Sequence, residues 1–304
     1  MNASAEAVRE REKRWAATSS VVAAVGLTGF KIVVGLATGS LGILAEAAHS
    51  GLDLVAALMT LFAVRISGKP ADTEHLYGHG KVENLSALFE TLLLLVTCVW
   101  IIWSATHRLA AHRLEIEVNL WSFAVMATSI VVDASRSRML YRTARKHHSD
   151  ALEADALHFR TDIWSSSVVI LGLVCMKISE WVPAAGILRY SDAVAAIAVA
   201  LIVVQVSVKL GLRTVQSLVD AAPAGVDRKI TAAVEALPGV TNCHHVRVRF
   251  SGPRPFVDVH VLVDGSQTLS AAHELPEEIE RTIEQILPEA DVTVHPEPRA
   301  PDRV

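Results

Sequence analysis

Residues 44–53 read LAEAAHSGLD and residues 155–162 read DALHFRTD. Each stretch holds a histidine followed four places later by an aspartate: His49 and Asp53 in the first, His158 and Asp162 in the second. On an α-helix, positions i and i+4 lie one above the other on a single face. Both stretches sit inside long apolar runs, where ionisable side chains are costly and need a reason. One such pair can be structural. Two of them, on helices laid side by side, direct two imidazoles and two carboxylates at one point. Four N and O ligands in tetrahedral array suit Zn²⁺. Glu46, at i−3 from His49, reads as a supporting or helix-end residue rather than a ligand.

Working outward from these runs, six segments have the roughly 20 mainly apolar residues needed to cross a bilayer: approximately 16–38, 42–66, 84–106, 118–140, 158–178 and 190–212. The first two are separated only by Gly39 and Ser40, a tight turn. Hydrophobic residues make up 51% of the chain and thin out after about residue 216, which predicts a membrane domain followed by a smaller soluble one. Arg9, Arg11, Lys13 and Arg14 precede the first span. Arg65, Lys69 and Lys81 lie around the loop between spans two and three, and Arg136, Arg138, Arg142, Arg145 and Lys146 follow span four. The opposite loops hold only Arg108 and Arg113, then Lys177 and Arg189. The positive-inside rule places both termini in the cytoplasm.

The predicted organisation is a cytoplasmic N-terminal tail over 1–14, a six-helix all-α transmembrane domain over 15–215, and a cytoplasmic α+β domain over 216–304. Within the last, Asp227–Leu237 reads as a helix stopped at Pro238-Gly239. Val246–Phe250 and Phe256–Val263 read as strands joined by a turn at Ser251-Gly252-Pro253. Ala271–Leu287 reads as a second helix and Asp291–His295 as a third strand. The order is αββαβ.

Other classes are excluded by composition. A net charge of −4 offers no broad basic surface for nucleic acid. Cys98, Cys175 and Cys243 form no CxxC pair and read as buried small residues. The stretch MNASAEAVREREKRW lacks a cleavable apolar core, so no signal peptide is expected. No HExxH motif and no nucleophile set beside a base appears, so the chain is not expected to be an enzyme.

Two further clusters stand out. The loop ADTEHLYGHGKVE carries Asp72, His75 and His79, with Gly78 and Gly80 able to curl it around a cation; the same composition also suits a solvated polar turn. The tail carries His244, His245, His260, His273 and His295, five histidines between residues 244 and 295. Singly these read as surface residues, together as a second metal cluster. His147-His148, in a basic run, reads as solvated loop.

On His49-x-x-x-Asp53, the loop His75-Leu-Tyr-Gly-His79-Gly-Lys81-x-Glu83, and Ala154-Asp155-x-x-His158-x-x-x-Asp162, the chain resembles the cation diffusion facilitator family from about Trp15 to Glu297. The resemblance implies a Y-shaped homodimer in a lipid bilayer, with a ferredoxin-like, metallochaperone-like cytoplasmic domain. It implies a transport site of His49, Asp53, His158 and Asp162, and a loop site of Asp72, His75 and His79. It also implies a binuclear tail site at His244, His260, His273, His295 and Glu297, with His244 rather than His245 in register. Lys81 and Asp220 resemble an interlock between protomers. Relatives often have Asp at the place of His49, and a two-His, two-Asp site resembles the zinc-preferring branch. The expected function is Zn²⁺/H⁺ antiport by alternating access, exporting zinc across a bacterial inner membrane with protons as counter-ion. Mn²⁺, Co²⁺, Fe²⁺ or Cd²⁺ efflux is the alternative substrate reading, and a membrane-anchored metal sensor the alternative of another class.

Overall fold

The computed structural model describes residues 3–111, 120–181, 191–266 and 269–298. Among them, six long helices come first: α1 Ala3–Thr38, α2 Leu41–Ser67, α3 Lys81–Ala111, α4 Leu120–His147, α5 Asp150–Trp181 and α6 Ser191–Leu218. There follow α7 Val226–Glu235, β1 Asn242–Ser251, β2 Arg254–Val263, α8 Leu269–Ile286 and β3 Asp291–Pro298. The chain forms two compact units, one of Ala3–Lys69 with Val82–Thr214, the other of Pro70–Lys81 with the chain from Val215 onward.

The predicted turn at Gly39-Ser40 has a simple local cause. Gly39 takes a left-handed φ of +64, which ends α1 without a Cβ clash. Ser40 stays extended and its hydroxyl accepts the Ile43 N–H, capping α2. At the other helix junction, the Ser149 hydroxyl accepts the Leu152 N–H in the first turn of α5.

In the helical unit α1 runs along α2 and α4 along α5, while α1 also packs on α4 and α2 on α5. The shared core of these four is rich in small residues: Ala16 and Ala17 from α1, Ala144 from α4, and Ala156 from α5, with Leu61, Val64, Leu140, Leu152 and Phe159 filling around them. Small residues let helix axes approach closely, the packing device of membrane bundles. Ala87, Ala154 and Leu210 join α3, α5 and α6, and Cys98, Ala200 and Val203 join α3 to α6.

Four helices are long and apolar enough to cross a membrane among the described residues: Glu6–Thr38, Ile43–Ser67, Lys81–His107 and Ala196–Leu218. The other two predicted spans are long helices, but α4 carries Asp133, Arg136 and Arg138, and α5 carries Glu153, Asp155, Arg160 and Asp162. The basic run after span four is not a loop. Arg136 to Lys146 continue α4, because nothing there breaks a helix and Arg, Leu, Ala, Met and Lys favour one. Arg136 is buried, and so is His147, whose Nε2 lies 2.7 Å from Glu12 Oε2, which corrects the solvated reading of that histidine. Lys13 is buried too, bonded at 2.7 Å to both Glu10 and Glu83. The stretch expected as an N-terminal tail, residues 1–14, is helical from Ala3 onward as part of α1. Arg113 and Arg189 lie outside the described residues.

In the second unit the sheet order is β1-β2-β3, with β1 antiparallel and β3 parallel to β2. The αββαβ order matches the sequence pattern. Val257, Val259, Val261 and Val263 of β2 point inward against Ile230 and Val234 of α7 and Ile279 and Ile283 of α8. Each such fully buried side chain contributes about 1.5–3 kcal/mol relative to exposure. Alternation leaves Asp258 and His260 on the opposite face. That face is where the tail's histidines gather.

Candidate metal centres

The two His-x-x-x-Asp pairs do meet. His158 Nε2 lies 3.2 Å from Asp53 Oδ1 and 3.7 Å from Asp162 Oδ2. One ligand atom from each of these three side chains falls within 4.8 Å of the others. His49 stands further out: its Nε2 is 4.0 Å from both Asp53 Oδ1 and Asp162 Oδ1, and its side chain is 44% exposed against 9% for His158. The bundle therefore holds a buried triad with a fourth nitrogen at its open edge. Oδ2 of Asp162 is buried without a hydrogen-bond donor among the described residues.

Around this triad the bundle buries more charge than the sequence motifs showed. Arg136 donates to Ser20 Oγ at 3.1 Å and to Asp133 at 3.3 Å, and its guanidinium lies 3.6 Å over the Phe159 ring. Asp155 is wholly buried, with Ser20 Oγ at 3.4 Å from Oδ2. Glu90 on α3 is wholly buried and accepts from the Thr60 hydroxyl. Lys31 on α1 reaches Ser50 Oγ at 2.8 Å and Glu46 at 3.3 Å. Each buried charge costs several kcal/mol unless paired. Lys31 and Glu90 carry a sequence signal that went unread, a single charge inside an apolar run; Arg136 was counted only among the basic residues that follow span four.

The loop cluster forms within the second unit. Asp72 Oδ1 lies 3.2 Å from His75 Nδ1 and Oδ2 lies 3.3 Å from His79 Nε2. The backbone N–H of His75 also donates to Asp72 at 2.7 Å, and this bond holds the carboxyl below its ordinary range. Gly78 takes φ +75, as a curled loop requires. Gly80 serves a different purpose: a Cβ there would run into the Ser251 carbonyl, so glycine lets the loop lie against the β1–β2 turn. Tyr77 is held nearby, edge-on to Phe256 at 5.2 Å and under the Arg249 guanidinium at 3.7 Å. Lys81 and Asp220, which the resemblance implies as an interlock between protomers, pair with each other at 2.8 Å.

On the open face of the tail sheet, His244, His260 and His295 occupy one rung across β1, β2 and β3. Glu297 is two residues on along β3, on the same face and beside Leu262. Its carboxylate lies 2.8 Å from His260 Nδ1, 3.5 Å from His244 Nε2 and 3.8 Å from His295 Nε2. The His260 bond holds the Glu297 carboxyl below its ordinary range. His273, at an exposed place on α8, joins none of the clusters among the described residues. His245, set aside by register counting, does join. The β1–β2 register slips between His244 and Arg247, where two residues of β1 oppose one of β2. His245 sits in that bulge with φ +50, and its ring lies 5.0 Å from His244 and 5.1 Å from His260.

Residues 17–219 match the family described as the cation efflux transmembrane domain, and residues 223–299 that described as the cation efflux protein, cytoplasmic domain. The chain belongs to the cation diffusion facilitator family of cation efflux transporters; it is an integral membrane transporter and not an enzyme. It is 32% identical over 289 residues to the cation-efflux pump FieF of Pectobacterium atrosepticum, covering 93% of this chain and 92% of that one. It is also 32% identical over 293 residues to the FieF of Yersinia pestis, covering 94% and 93%. Among solved structures, a nickel form of the MamM CTD is 26% identical over 26% of this chain and 100% of that one, with a TM-score of 0.24.

Proposed function

We propose that this transporter exports Zn²⁺ from the cytoplasm in exchange for protons, working as a homodimer by alternating access. The observation that carries the reading is the buried triad of Asp53, His158 and Asp162 with His49 at its edge. Two carboxylates and two imidazoles suit a borderline ion better than a hard one. Zinc needs neutral imidazole, so protons and metal compete for the same groups, and release of one can drive binding of the other. In this reading all six long helices span the membrane. The ionisable groups of α4 and α5 face the bundle interior, and both termini are cytoplasmic at a bacterial inner membrane. The helical domain runs over 15–215 and the metal-binding, dimerising domain over 216–304. Asp72, His75 and His79 hold metal in the loop. His244, His260, His295 and Glu297 hold it in the tail, where metal favouring the assembled dimer would stabilise it by linkage.

The reading is tested in vesicles loaded with a zinc indicator and given a proton gradient. Zinc should move against the gradient of protons, and His49→Ala or Asp162→Ala should cut the rate by about 100-fold or more, beyond the 10–100-fold that supporting partners of a metal ligand cost. Zinc flux indifferent to lumenal pH would remove the coupling. Intact flux in both variants would remove the site.

A further inference from the structure

Helix α4 carries arginines in two settings. Arg136 is buried and bonded to Asp133 and Ser20. Arg138, Arg142 and Arg145 are exposed, and none has an acidic partner among the described residues. Lys146, next in sequence, is by contrast held at 2.6 Å by Glu12. We propose that this unpaired arginine stripe, with Tyr141 and with Arg160 of α5, binds the phosphate headgroup of an anionic phospholipid. The proposal rests on the reading in which α4 and α5 span the membrane.

Three observations carry it. The first is the face. With 3.6 residues per turn, Val131, Arg138, Arg142 and Arg145 fall within a sector of about 60°, and Tyr141 borders it. Arg160 comes across from α5, its guanidinium 5.6 Å from the centre of the Tyr141 ring. Four guanidinium forks thus surround one exposed phenol, and a fork matches phosphate oxygens two at a time. The second is the depth. α4 has 28 residues, about 42 Å of helix, whereas the hydrocarbon layer is about 30 Å thick. About 12 Å of α4 must therefore lie among headgroups. The stretch from Arg138 to the helix end at His147 is about 13 Å long. The third is continuity. The same sector runs on from the arginines to Val131, which is 70% exposed, so the charged stripe passes into an apolar one. A free anion would use only the first part. A phospholipid uses both, its phosphate on the arginines and its chain along Val131. Tyr141, 40% exposed, sits at the border, where amphipathic rings gather at membrane interfaces.

The test uses the purified full chain in a mild detergent. Phosphatidylglycerol is titrated in, and binding is read by native mass spectrometry and by the rise in melting temperature. Phosphatidylcholine with the same chains and inorganic phosphate at equal concentration are the comparison probes, and neither should reproduce the effect. Arg142→Gln with Arg145→Gln should weaken phosphatidylglycerol binding by about 25-fold, taking about fivefold for each basic side chain at an anionic lipid. Glutamine keeps the helix propensity, so α4 stays folded. Arg228→Gln with Lys229→Gln removes the same charge from exposed positions on α7 and should leave binding unchanged. Equal weakening in the two double variants, or none in either, would overturn the site. Phosphatidylcholine or inorganic phosphate matching phosphatidylglycerol would overturn the choice of ligand. A nitroxide on Val131→Cys, with the natural cysteines replaced by alanine, separates this proposal from the reading beneath it. Relaxation by oxygen places residue 131 in hydrocarbon, and unaltered lipid binding in the arginine variant then counts against the site alone. Relaxation by a water-soluble nickel chelate removes the spanning reading of α4 and the site with it.

Discussion

The bundle and the tail sheet use the same side chains in opposite surroundings. In the bundle, the Asp53 and His158 side chains are 12% and 9% exposed and lie among Arg136, Asp155, Glu90 and Lys31, all buried. On the sheet, the His295 side chain is 63% exposed and that of Glu297 34%. Burial makes the first set interdependent: each charge needs its partner, so geometry and net charge are fixed together. Exposure frees the second set, where water can replace a lost partner. In the proposed function, an ion entering the bundle would therefore compete with an existing charge network, and an ion on the sheet mainly with water and protons.

That contrast can be broken in the bundle first. Lys13 and Glu83 are each 1% exposed, and Glu83 also takes bonds from the Ser67 and Ser149 hydroxyls. Lys13→Met should lower stability by about 3–5 kcal/mol by leaving Glu83 buried and unpaired. The check is thermal unfolding of the detergent-purified protein, and Lys13→Met with Glu83→Gln should recover part of the loss. The exposed pair gives the opposite limit. Lys81 and Asp220 have side chains 37% and 44% exposed, so Asp220→Asn, which keeps a side chain that tolerates the left-handed φ of +61, should cost no more than about 1 kcal/mol, and less at high salt. A loss comparable to that of Lys13→Met would erase the distinction.

The smallest effect is the acid response of the tail. Glu297 has a folded-state pKa below its unfolded one, so its contribution to stability is present above the ordinary carboxylate pKa. It is lost as pH falls through the lowered folded value. An acid unfolding titration of Glu297→Gln should match the unaltered protein below that window and fall short of it above. Identical curves above the window would mean that the His260 bond contributes nothing.

Much of this architecture was legible in the chain. Long apolar runs mark the helices, the alternation Val246 to Phe250 marks β1, and Gly39-Ser40 marks a turn, because each depends on residues close in sequence. Two residues four apart on each of two helices were enough to foresee that Asp53, His158 and Asp162 would meet. Arg136 was misplaced because its burial depends on Ser20, 116 residues away, and on the Phe159 ring. His245 was passed over because strand alternation assigns faces by counting, and one extra residue in a bulge resets the count. A positive φ at a histidine leaves no local sign.

Gly80, pressed against the turn at Ser251, and Tyr77, held between Arg249 and Phe256, fasten the loop to β1 and β2. The same two strands carry His244 and His260 toward their other end, with Phe256 and His260 four residues apart at about 3.3 Å each. Two paired strands behave as a short stiff beam rather than a cord. Asp72, His75 and His79 thus share a mounting with the tail histidines, and neither group can shift against the other unless the Tyr77 stack is first pulled apart.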